Sequence, residues 1–96
     1  MVVEWLTFAV DPAEQEQWIE IDAATWTVFL RGQRGFVRKE VWLDRAHPEL
    51  IHVAVWWPDE ECWNAVTQEA VDAVDASMGW WYRSGAITTF DVVREG

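Results

Sequence analysis

The opening run Val2–Val10 is apolar on both of the faces that a β-strand presents. Alternation puts Val3, Trp5 and Ala9 on one side and Val2, Leu6, Phe8 and Val10 on the other. A strand of this kind has to be covered twice, so the chain must build a sheet with a layer against each face. The next segment of the chain supplies the first layer.

Asp11 reads as a helix N-cap, with Pro12 at the first helical position and Glu14 three residues after the cap. The helical pattern runs to about Arg31, where Gly32 and Gly35 stop it. At about 100° per residue, Trp18, Ile19, Ile21, Trp26, Phe29 and Leu30 gather on one side, with Glu16, Glu20, Thr27 and Arg31 opposite. Asp22 falls inside the apolar arc and breaks it. Two further strands, Phe36–Asp44 and Leu50–Trp57, flank a loop short enough for an antiparallel hairpin. Pro58-Asp59-Glu60-Glu61 starts a helical turn. Thr67 then caps a segment to about Met78, with Val71, Val74, Met78 and Trp81 inward and Gly79 as its stop. The turn residues Ser84-Gly85 precede a last strand, Ala86–Arg94. The order βαββαβ predicts an α+β, ferredoxin-like fold: a four-stranded antiparallel sheet with two helices on one face.

The second layer has to come from elsewhere. Val37, Val41, Leu43, Ile51, Val53, Val55 and Trp57 suit the helix side. That leaves Phe36, Arg38, Glu40, Trp42, His52, Ala54 and Trp56 on the free face, joined by Phe90 and Val92. So large an aromatic patch exceeds what monomers normally expose. The expected cover is a second copy of the chain, a homodimer formed through the sheet into a barrel.

Composition bounds the rest. With 96 residues and 51% hydrophobic content, the chain has enough material for one core, and one domain spanning residues 1–96 is expected. No run of about 18 apolar residues exists, and Met1-Val2-Val3-Glu4-Trp5 lacks the basic start of a secretory signal, so a cytoplasmic protein is expected. The single cysteine, Cys62, excludes an intrachain disulfide. A net charge of -10 repels polyanions, so neither nucleic acid nor a membrane is an expected partner; a saline habitat is another source of such acidity. Nine tryptophans imply either an aromatic core or an apolar pocket.

Val3-Glu4-Trp5-Leu6-Thr7-Phe8, Asp22-Ala23 with Trp26-Thr27, Gly35-Phe36 with Lys39-Glu40-Val41-Trp42, and Trp57 with Trp63 together carry a resemblance. The chain resembles the dimeric α+β barrel proteins that include the antibiotic-biosynthesis monooxygenases, and within them a small-protein group of cyanobacteria and other bacteria. The resemblance implies a pocket between helices and sheet, with Trp57 beside it. It implies an apolar or aromatic small-molecule ligand and a monooxygenase-like oxidation that needs no bound cofactor. The asparagine of the cofactor-free oxygenases has no evident counterpart, and residues 66–78 hold no histidine to ligate haem. No cofactor is expected. The alternative is a non-enzymatic ligand-binding or interaction module.

Asp22, between Trp18 and Trp26, is a candidate acid or base, because desolvation raises a carboxyl pKa. Its structural alternative is a carboxylate bonded to an indole N–H, a backbone amide or an arginine. Trp18, Trp26 and Trp57 are the candidate ligand-binding residues. His52, on the free face with Arg38 and Glu40, is a second acid/base candidate, or else part of a charge-paired interface cluster. His47, His52, Glu49 and Asp44 lack metal-ligand spacing, and no metal is expected. Trp80-Trp81-Tyr82-Arg83 either closes a pocket mouth or packs on a neighbour. Cys62 has no base or cation nearby in sequence to make it nucleophilic.

Overall fold

In the computed structural model, which describes all 96 residues, the first strand is β1, Val2–Ala9. A 3-10 turn, Pro12–Glu14, leads into α1, Gln15–Asp22. A π-helical turn, Ala23–Thr27, joins it to α2, Val28–Arg31. The hairpin strands are β2, Arg38–Leu43, and β3, Leu50–Trp57. Two helices follow, α3, Glu60–Asn64, and α4, Gln68–Met78, then a 3-10 turn, Gly79–Trp81, and β4, Ala86–Asp91. The sheet is antiparallel throughout, in the order β2-β3-β1-β4. This is the ferredoxin-like α+β arrangement that the sequence pattern predicts.

The helix starts form where the side chains can serve orphan backbone donors. Asp11 accepts from the Ala13 N–H at 2.9 Å, Asp59 from that of Cys62 at 2.8 Å and Thr67 from that of Ala70 at 3.1 Å. Glu14 does not close a capping box; its carboxylate meets Arg83 at 3.4 Å instead. Gly79 ends α4 with a φ of 58°.

Register places Ile51, Val53, Val55 and Trp57 of β3 against Trp18 of α1, Leu30 of α2 and Met78 of α4. With Val10 these form the buried core. Trp18 and Trp57 are each only 1% exposed, and burying such rings is the largest single source of the hydrophobic drive. On the other face Ala54 and Val3 are also buried, beneath a layer of aromatic rings. Trp5 meets Trp42 at 5.1 Å, His52 at 5.6 Å and Phe90 at 5.7 Å, while the Arg38 guanidinium lies 4.0 Å from the Trp56 ring centre.

Several sequence expectations change. β2 begins at Arg38 rather than Phe36, and β4 ends at Asp91 rather than Arg94. Val37 and Leu43, assigned inward, are 43% and 58% exposed because β2 is an edge strand whose ends outrun the helices. The first helix is interrupted by the π turn, which moves Thr27 off the outer face. In a regular helix, residues five apart lie about 140° apart, but a π turn brings them nearly into line. Asp22 and Thr27 thereby point the same way and share one partner, Lys39.

Gly35 is a position that tolerates no side chain. Its φ is +81°, and a β-carbon there would stand 2.6 Å from the Cys62 sulfur. Gly35→Ala is expected to destabilise the fold by roughly 1–3 kcal/mol in urea titration, with part of the loss recovered when Cys62 is also shortened to alanine.

Candidate functional site

Between the helices and the sheet lies a cavity of about 450 Å³, within the range of small-molecule sites. Its apolar walls include Trp18, Trp26, Trp57, Phe8 and Val55. The structure thus brings Asp22, Trp18, Trp26 and Trp57 to one cavity. Trp18 packs 5.0 Å from Phe8, and its buried indole nitrogen has no hydrogen-bond partner.

Carboxylates enter this apolar space at three places. On α1, Asp22 pairs with Lys39 of β2 at 2.5 Å, and the same ammonium donates to Thr27 Oγ1 at 2.9 Å. Both side chains are almost wholly buried, 5% and 4% exposed. Burial raises the Asp22 carboxyl above its ordinary range, with the Lys39 charge and hydrogen bond opposing it. Burial likewise lowers the Lys39 pKa, against the attraction of Asp22. The partner of Asp22 is therefore a lysine, rather than the indole, amide or arginine that its sequence position suggests.

The second polar point is Glu4 on β1, which accepts a hydrogen bond from Trp57 Nε1 at 3.3 Å. Desolvation raises its pKa, and the Trp57 and Trp63 indoles counteract part of that. The third is Asp75 on α4, which accepts from Trp26 Nε1 at 3.2 Å and is raised by burial, with Asp72 nearby adding repulsion. Sequence reasoning does not single out Glu4, Lys39 or Asp75 as site residues. Yet Glu4 shares strand parity with Val2, Leu6 and Phe8, and Lys39 shares it with Val41, so both are detectable as charges in an inward-facing series.

Glu4 gives the fold a measurable pH response. Its folded pKa lies above the reference value of 4.5, so the unfolded chain ionises first and gains the solvation that the folded one lacks. The stabilising contribution is complete below pH 4.5 and is lost as pH rises through the folded pKa. Glu4→Gln is expected to flatten this part of the stability profile, and equilibrium unfolding at a series of pH values measures the difference.

His52 lies on the opposite face of the sheet, away from the cavity. Its Nδ1 accepts from Trp5 Nε1 at 3.1 Å, with Thr7 Oγ1 at 3.0 Å, and its Nε2 faces Asp44 Oδ2 at 2.8 Å. An indole nitrogen can only donate, so Nδ1 is the acceptor here and Nε2 is the nitrogen that donates to Asp44. This hydrogen bond, followed by backbone donors from His47 and Ala46, pulls the Asp44 pKa down to about 2. His52 shares the free face with Arg38 and Glu40, and the pairing there runs from Arg38 to Glu40 at 3.3 Å and from His52 to Asp44. Of the aromatic segment after α4, Tyr82 and Arg83 reach the cavity lining, whereas Trp80 stands 68% exposed.

No protein-family model matches the sequence, and no curated protein sequence matches it. Solved structures do. SnoaB, a cofactor-independent oxygenase from Streptomyces nogalater, superposes with a TM-score of 0.74 at 20% identity, over 98% of this chain and 94% of its own. The Streptomyces coelicolor monooxygenase ActVA-Orf6, in complex with nanaomycin D, gives 0.72 at 16%, over 99% and 91%. The chain has the antibiotic-biosynthesis monooxygenase fold. A mutant of MhuD with two manganese protoporphyrin IX molecules bound per active site shares it too, with a TM-score of 0.78 at 18% identity over 100% of this chain and 98% of its own. At these identities the likeness to the monooxygenase fold concerns architecture, and the side chains of the cavity are this protein's own. No helix is long and apolar enough to cross a membrane.

Proposed function

We propose that the protein binds an aromatic or largely apolar small molecule in the cavity between helices and sheet, and oxidises it with dioxygen without a bound cofactor. The observation that carries this reading is the cavity itself: a ligand-sized space walled by tryptophans, with a buried Asp22–Lys39 pair on one wall. Trp26 and Trp57 would hold a planar ring and exclude water. Lys39 uses two of its three N–H groups on Asp22 and Thr27, which leaves one to donate to a ligand oxygen. Asp22 then acts by fixing that ammonium, and through it a ligand hydroxyl. Support for oxidation comes from the shared fold, which includes a cofactor-independent oxygenase.

The commitment of Asp22 to Lys39 favours a second reading, binding without turnover, because the ammonium occupies the carboxylate oxygen that would otherwise take a proton from a ligand. Oxygen consumption with a panel of quinols and polyphenols separates the two. Turnover that falls in Asp22→Asn supports the enzyme; binding in thermal-shift assays without oxygen uptake leaves the binding module; neither response removes both.

The free sheet face is proposed to pair with the same face of a second copy, closing a barrel. Trp5, Trp42, Trp56 and Phe90 on one side of a four-stranded sheet support this pairing.

A further inference from the structure

Charge inside the cavity is unevenly distributed. Glu4, Asp22 and Asp75 line it, against Lys39 and Arg83. Lys39 is taken by Asp22, while Arg83 is turned to Glu14 at 3.4 Å and donates to the Trp80 and Tyr82 carbonyls at 2.9 and 3.0 Å. Neither Glu4 nor Asp75 has a cationic partner. Each is instead met by an indole N–H from the tryptophan beside it, which orients the carboxylate without cancelling its charge. The more deeply buried of the two is Glu4, with Trp57 and Trp63 as its neighbours.

We infer that the cavity selects an organic cation: an aromatic or apolar molecule carrying a protonated amine, whose ammonium is received by Glu4 between Trp57 and Trp63. This rests on the reading of the cavity as a ligand site and narrows its ligand class. A partly desolvated carboxylate without a counter-charge is costly, and an ammonium satisfies it directly. Indole faces favour cations and disfavour anions, so walls rich in tryptophan act in the same sense. An anionic ligand would meet Glu4 and Asp75 as like charges; a neutral one would leave both unpaired. Burial raises the Glu4 pKa and a bound ammonium lowers it, so binding is expected to release protons at any pH where the free group is partly protonated.

The test uses three probes with a common naphthyl group on the full chain: 2-(1-naphthyl)ethylamine, its isostere 2-(1-naphthyl)ethanol and the anion of 1-naphthaleneacetic acid, titrated by calorimetry in two buffers of different ionisation enthalpy. The amine is expected to bind roughly tenfold or more tighter than the alcohol, the size of a hydrogen bond to a charged group, with proton release. Glu4→Gln keeps an acceptor for Trp57 and is expected to bring amine and alcohol to equal affinity. Equal affinities in the wild type, or preference for the carboxylate, overturn the inference while leaving a ligand-binding cavity. Preference that survives Glu4→Gln and disappears in Asp75→Asn overturns the assignment to Glu4. Binding of none of the three rejects the cavity reading together with the inference.

Discussion

Lys39→Met is expected to cost about 3–5 kcal/mol of stability in urea or guanidinium titrations, the usual loss when one member of a buried ion pair is removed. The size follows from what is left behind. Asp22 and Lys39 are almost fully enclosed, and the pair lies at the junction of the π turn with β2. Without the ammonium, Asp22 loses its partner and Thr27 Oγ1 loses a donor. Folding then forces a proton onto Asp22, so the variant's deficit is expected to shrink toward acidic pH. Asp22→Asn combined with Lys39→Met removes both charges and is expected to recover much of the loss, since apolar replacement of a whole buried pair is often neutral. A single-variant loss below about 1 kcal/mol, the scale of an exposed pair, would mean that the pair is hydrated in solution.

The second large effect is expected on assembly. Trp42 stands between Trp5 and Trp56 at 5.1 and 6.4 Å, donates its indole N–H to Glu40 at 3.0 Å and belongs to the aromatic layer of the proposed interface. Trp42→Glu removes a central aromatic anchor and places a carboxylate next to Glu40 on a surface that must shed water to pair. Central tryptophans in interfaces are commonly worth about 2 kcal/mol or more, and an unpaired buried charge adds several more. Dimer affinity is expected to fall at least about a hundredfold, read as a shift from dimer to monomer by light scattering after gel filtration. Far-UV circular dichroism checks that the monomer keeps its sheet. A wild-type protein that is already monomeric at low micromolar concentration would refute the pairing itself.

How much of this the sequence discloses depends on how local the determining physics is. β3 and the Thr67-capped helix α4 stand where the pattern places them, because β-branched residues at alternate positions and a capping hydroxyl act over a few residues. The two-sided apolar character of β1 likewise follows from alternation alone. The π turn does not, since nothing in Ala23–Thr27 distinguishes it from regular helix until Lys39 is brought across from β2. Lys39 shares parity with inward-facing Val41, yet its charge gives no reason to place it in the core until the fold sets it beside Asp22. Asp22 is legible as an anomaly and its partner is not, because pairing across 17 positions is a tertiary fact. His52 shows the converse case. Strand parity gives its face correctly, but its partner, Asp44, comes from the turn that ends the hairpin.

The register of β1 against β3 has a consequence for which changes the chain can absorb. Glu4 and Trp5 are adjacent in sequence, yet one faces the cavity and the other the opposite surface, paired with Val55 and Ala54. A slip or insertion of one residue in either strand would exchange the two, delivering tryptophan to the cavity floor and a carboxylate to the surface proposed to pair. The strand therefore encodes two surfaces in a single two-letter reading frame, and a frameshift within it corrupts both messages at once. Length variation in descendants of this sequence should accumulate at the Arg45–Glu49 loop and around Ala65–Val66, where no residue is read on two sides.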